Sequence, residues 1–128
     1  MTTELWILVA ATALCLALPL VYMPLYARQA GSAAISGNRE DAPTATGAAG
    51  RGARAHRNLL ENLLPFAIAI LAAHAIGISD TLTLAGAWLF LAARVVHALA
   101  YIAGVTGVRT LAYVAGLVGT ALILTQLH

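Results

Sequence analysis

Arg51-Gly52-Ala53-Arg54-Ala55-His56-Arg57-Asn58-Leu59-Leu60-Glu61-Asn62-Leu63-Leu64-Pro65-Phe66 is a polar helical entrance that runs straight into apolar sequence. At the helical period Arg54, Asn58 and Glu61 share one face, and Arg57 stands one turn before Glu61. A glutamate heading into a hydrophobic span is costly unless something pairs it, and Arg57 is the expected partner. Ionisable side chains at such a position mark functional sites by default. The stretch therefore decides the fold class, a membrane helix, and also where chemistry is to be sought.

The rest of the composition agrees. The chain has 128 residues, 61% hydrophobic and 9% charged, whereas about a quarter of a soluble domain is charged. Every basic side chain apart from histidine is arginine. An isoelectric point of about 9.1 reflects a small excess over very few acids, so no nucleic-acid partner is expected. Cys15 is the single cysteine, inside an apolar run, which excludes a disulfide framework and any cysteine metal spacing. It reads as a small packed hydrophobe, and no metal site is expected.

Working outward, residues 5–27 form an apolar run of about 23 residues, enough to cross a hydrocarbon core of roughly 30 Å. A signal peptide fits poorly, because Glu4 stands where a basic segment would precede the run. Trp6 at one end and Tyr22 and Tyr26 at the other read as interfacial anchors, and Pro19 and Pro24 suggest a kink or a frayed last turn. Residues 28–52 are rich in Gly, Ala, Ser and Thr and read as an extramembrane loop, mobile over Thr44–Gly50. Further helices are expected at about 53–77, 82–103 and 109–127, with Ser79 or Asp80 capping the third. Ala112, Ala115, Gly116 and Gly119 offer small faces for close helix contact. The expected fold is an all-α, four-transmembrane-helix up-down bundle forming one domain over 1–128. Arginines flank only the first and third loops, which places those loops in the cytoplasm and both termini outside, in a membrane such as the bacterial inner membrane.

The third helix repeats the oddity of the second, with Arg94, His97 and Tyr101 on one face near its cytoplasmic end. The fourth opens with Arg109, Thr110 and Tyr113. Cations, hydroxyls and an imidazole then surround one pocket that suits a small, multiply charged ligand. Guanidinium forks hold carboxylates, while Glu61 or Asn58 holds an amine or amide. Each residue alone has a plainer reading. Arg57 and Glu61 form a structural ion pair about as often as a site, His97 is a satisfied interior histidine, and Tyr101 and Tyr113 pass for interface anchors. His74 and His128 have only the plain reading. Convergence on one membrane face raises the rest above it.

Arg54-Ala55-His56-Arg57-Asn58-x-x-Glu61-x-x-x-Pro65-Phe66, then Arg94-x-x-His97-x-x-x-Tyr101 and Arg109-Thr110-x-x-Tyr113, resembles the MAPEG family. These are the membrane-associated proteins in eicosanoid and glutathione metabolism, among them bacterial-type members, microsomal glutathione transferases and prostaglandin E synthase. The likeness covers helices two to four by motif and the first helix by hydropathy. It implies a homotrimer that binds glutathione between neighbouring subunits, with the thiol toward the bilayer. It implies glutathione contacts at Arg57, Asn58, Glu61, His97, Tyr101, Arg109 and Tyr113, with Arg54 and Arg94 at basic positions beside them. In the family, the helix-four arginine or the residue after it stabilises the thiolate, which gives Arg109 and Thr110 catalytic roles by resemblance. Two departures bear on specificity: threonine stands where many prostaglandin-synthase-like members have serine, and the link from Tyr101 to Arg109 is about one residue shorter.

The expected activity is that of a glutathione-dependent transferase or peroxidase acting on a lipophilic electrophile from the membrane. A thiol of pKa about 8.5 is mostly protonated at neutral pH, and lowering it by two units needs about 2.7 kcal/mol. The rival is a non-catalytic lipid-binding or scaffold protein of the same fold, which the family also contains. The intact Arg57, Asn58 and Glu61 set favours the enzyme. A small transporter ranks last, because residues 5–27 hold no acid.

Overall fold

The Thr2 hydroxyl accepts a hydrogen bond from Leu5 N at 3.4 Å and so starts the first helix, α1 (Thr3–Ala30). Glu4, Ile7, Ala11, Cys15 and Leu18 are its buried residues, at steps of three or four, so one stripe packs inward. The remaining circumference, with Trp6, Leu16 and Leu20, is exposed. The computed structural model describes residues 1–128, with a short helix α2 (Ser32–Ser36) and three further long ones, α3 (Gly47–Ala75), α4 (Thr81–Ala103) and α5 (Thr106–Leu124).

Helix α1 runs unbroken through Pro19 and Pro24 and outlasts its expected end at residue 27, stopping at Gly31, whose φ is +81°. Its last turns are held from outside rather than frayed. Tyr22 Oη lies 3.2 Å from His56 Nδ1, and Tyr26 Oη donates to the Pro43 carbonyl at 2.6 Å. Both tyrosines thus bond protein partners in addition to any interfacial role. Gln29 bonds both backbone groups of Thr46, at 3.0 and 3.1 Å. That clamp holds the residue before α3 in extended conformation, so α3 starts at Gly47 rather than near 53. The stretch expected to be mobile is in part the first turn of this helix.

Asp80 caps α4 as its sequence suggests. Its carboxylate accepts from Leu82 N and Thr83 N, both at 2.8 Å, while Thr83 Oγ1 accepts from Asp80 N at 2.8 Å. Ser79 and Thr83 hydroxyls also donate to buried Glu4, at 2.8 and 2.9 Å, which ties the start of α1 to the α3–α4 turn. Satisfying this carboxylate is what makes its burial tolerable. At the other end of α4, Gly104 in the left-handed region closes the helix.

The long helices form a rhombus. α3 and α4 make its short diagonal, α1 packs on both, α5 packs on both, and α1 does not touch α5. Phe66 and Phe90 stack across the diagonal with centroids 3.8 Å apart, surrounded by buried Ile7, Ile70 and Ile123. Helices α4 and α5 meet backbone to backbone at Gly86 and Gly119, where a Cβ on either would lie 2.5 to 2.6 Å from the other's carbonyl oxygen. α1, α3, α4 and α5 are each long and apolar enough to cross a membrane. The all-α four-helix membrane bundle expected from the sequence is the observed fold.

Candidate functional site

Arg94 is 1% exposed, the largest fully buried side chain of the chain. Its room is made by Gly116 on α5, where a Cβ would lie 2.7 Å from Arg94 Nε and 2.8 Å from Cζ. The guanidinium lies against the rings of Phe90 and Tyr113, with Cζ 5.2 and 5.6 Å from their centroids. Its Nη1 donates to Asn58 Oδ1 at 3.0 Å and its Nη2 to the Tyr113 carbonyl at 3.3 Å. Nε is left without a partner. One buried side chain thus joins α3, α4 and α5. Asn58 is steadied in turn through its carbonyl, which accepts from Asn62 Nδ2 at 2.8 Å.

Around Tyr101, toward the end of α4, the remaining groups assemble. Arg109 Cζ lies 4.5 Å from the Tyr101 ring centroid and Arg54 Cζ 6.0 Å from it. His97 is buried and meets Tyr101 edge-on, with centroids 5.4 Å apart, and its ring is 6.4 Å from that of Tyr113. The steps from Arg94 to His97 to Tyr101 are three and four residues, which is why one face of α4 presents all three. The structure therefore gathers Arg54, Asn58, Arg94, His97, Tyr101, Arg109 and Tyr113 where α3, α4 and α5 meet.

Three expected residues stand apart. Arg57 and Glu61 are both exposed on α3 and make no hydrogen bond to each other, so the expected ion pair is not formed within the chain. An arginine that precedes its acid by one turn is the weaker of the two helical orders, and an exposed pair gains little. Thr110 is exposed, and its hydroxyl donates back to the Thr106 carbonyl at 3.2 Å. Helix α5 also begins at Thr106, ahead of residue 109, and Arg109 N already donates to Val105 O at 3.3 Å. What α5 brings to Tyr101 at residue 109 is therefore a guanidinium and not the free amides of a helix start.

Sequence reasoning missed Gly116, Phe90 and Asn62. Gly116 reads as one of several small helix-contact residues, and only its position one turn after Tyr113 hints at a different use. The cluster is cationic and aromatic, a chemistry that suits a small anion-bearing ligand and planar carboxylates in particular.

No curated protein sequence matches this chain. A family model does, over residues 7–127, which takes in the site and all four spanning helices. On that match the chain belongs to the MAPEG family and is an integral multi-pass membrane protein.

Proposed function

We propose that this protein is a membrane-embedded glutathione-dependent transferase or peroxidase, which activates the thiol of glutathione for attack on a lipophilic electrophile. The observation that carries the reading is a set of three guanidiniums, those of Arg54, Arg94 and Arg109, that gather where α3, α4 and α5 meet and bond no carboxylate of their own chain. Arg94 is buried, Arg109 half-buried and Arg54 exposed, so the cations run from the helix interface out to solvent, and a tripeptide with two carboxylates and a thiolate supplies anions along that line. The association of the family with glutathione supports the same ligand.

In this reading Arg54, Arg57, Asn58, Glu61, Arg94, His97, Tyr101 and Tyr113 hold glutathione, and Arg109 and Thr110 serve catalysis. Arg109 supplies charge beside the thiolate, and its stacking on Tyr101 leaves the edge of the guanidinium fork free to donate. Thr110 assists only after its hydroxyl turns away from the Thr106 carbonyl. Arg57 and Glu61, exposed on α3, are placed to receive a neighbouring subunit or the ligand it shares, which is the form a homotrimer takes. The first and third loops face the cytoplasm, where glutathione is supplied, and the bilayer supplies the electrophile.

The test is stopped-flow recording of the thiolate absorbance band when purified protein meets glutathione at neutral pH. A rapid rise that depends on protein concentration is expected. Glutathione binding without any thiolate leaves the lipid-binding scaffold in place of the enzyme, and no binding at all removes the site.

A further inference from the structure

Two apolar grooves flank α4 on the sides that meet α1 and α5. The first, about 390 Å³, lies between α1 and α4 and is lined among others by Leu18, Val21, Leu99 and Ala103, without one polar side chain. The second, about 300 Å³, lies between α4 and the start of α5 and is lined among others by Val96, Leu99, Ala103 and Val108, again all apolar. Leu99, 64% exposed, is the ridge between them, and both grooves end at Ala103.

A cation, Arg51, stands at the end of α4 beside that junction. Arg51 reaches from α3 round the end of α4, where its Nε donates to the Ile102 carbonyl at 2.9 Å. Its Cδ, Nε and Cζ lie 3.7 to 3.9 Å from the point that a Cβ on Gly104 would take. The two terminal nitrogens make no hydrogen bond within the protein, so a fork of donors remains open beside Gly104. Arg51 takes no part in the Arg94 and Tyr101 cluster.

We propose that this is a binding site for one anionic diacyl glycerophospholipid, its two chains in the two grooves astride Leu99 and its phosphate on Arg51. The geometry matches that molecule part for part: two apolar channels that converge, and one planar cation where they meet. From Val95 to Ala103 the first groove follows α4 for about 12 Å, close to the roughly 15 Å depth of one hydrocarbon leaflet. The occupied leaflet is the one at the arginine-rich end of the bundle. A second copy of the chain suits these edges less well, because the exposed polar residues that call for a partner, Arg57 and Glu61, sit on α3.

Native mass spectrometry of the purified protein tests this, with phosphatidylglycerol, phosphatidylcholine and diacylglycerol of identical chains offered at equal amounts. One phosphatidylglycerol per subunit is expected, retained about fivefold over phosphatidylcholine, the factor that one arginine contributes at an anionic bilayer surface, with diacylglycerol retained least. Arg51→Gln should level phosphatidylglycerol with phosphatidylcholine. Ala103→Phe, which fills the junction and leaves Arg51 intact, should lower retention of both. Where Arg51→Gln fails to fold, Arg51→Lys keeps the charge and should keep the preference. Equal retention of all three lipids, or retention that neither variant changes, overturns the site. A change of oligomeric mass in Ala103→Phe assigns the grooves to a second copy and overturns it too.

Discussion

Arg94 brings a guanidinium into a helix interface whose bonded neighbours are an amide and a carbonyl, and Gly116 is what admits it. A methyl at residue 116 meets the guanidinium at once, so the side chain must leave Asn58 and Tyr113. Gly116→Ala is therefore expected to destabilise the protein by about 1–3 kcal/mol, the usual range for overpacking, and to weaken glutathione binding along with it. Thermal unfolding in detergent and calorimetric titration read the two effects, and a variant that melts and binds like the parent would show that Arg94 does not depend on the cradle. The contrast between Arg109 and Thr110 is also settled one residue at a time. A charged donor contributes about twice a neutral one, and the hydroxyl of Thr110 is already engaged with Thr106. Arg109→Ala should abolish thiolate formation, whereas Thr110→Ala should keep binding and lose only part of the rate. Titrating the thiolate band of bound glutathione against pH in both variants checks this, and wild-type behaviour of Arg109→Ala refutes the activation mechanism.

At the scale of elements, helix ends carry the instructive detail. A cap for α4 at Ser79 or Asp80 was legible because the residue types that satisfy free amides are few and act locally, while the choice of Asp80 and the return bond of Thr83 came from the structure. Asp80→Ala removes the acceptor for two backbone donors and should cost about 1 kcal/mol, visible as a lower melting temperature in detergent. The start of α3 was not legible, since Gln29 acts on Thr46 from the far side of a loop. Gln29→Ala should speed hydrogen exchange at the bonded amides of Thr46 and Gly50 and leave exchange deep in α3 unchanged, because local opening follows the loss of local bonds. Unchanged exchange across that first turn would mean that α3 begins there on its own propensity.

For the whole molecule, the exposed Arg57 and Glu61 are the residues that a single chain leaves without an evident task. If neighbouring subunits share the site, Arg57→Ala and Glu61→Ala should each weaken glutathione binding strongly, because each removes a charged contact to the shared ligand. Unchanged affinity in both folded variants returns them to ordinary surface charge. The same reading expects a trimer, and a molar mass corrected for bound detergent decides it; a stable monomer rules out a site between subunits.

Hydropathy, helical spacing and cap chemistry are properties of neighbouring residues along one chain, and they alone determined four membrane helices, a cap for α4 at Ser79 or Asp80 and the shared face of Arg94, His97 and Tyr101. The residue types of the motifs on helices two to four carried the resemblance to the family. Which groups meet across helices depends instead on how far each helix is rotated about its axis and how closely two axes approach. Neither quantity is written in any one segment. Only the tertiary structure decided that Gly116 houses a guanidinium, that Arg94 bonds Asn58 while Arg57 and Glu61 stay apart, and that Thr110 turns its hydroxyl back onto its own helix. The closeness of α4 and α5 at Gly86 and Gly119 sets that rotation, and with it the depth at which a charge is buried.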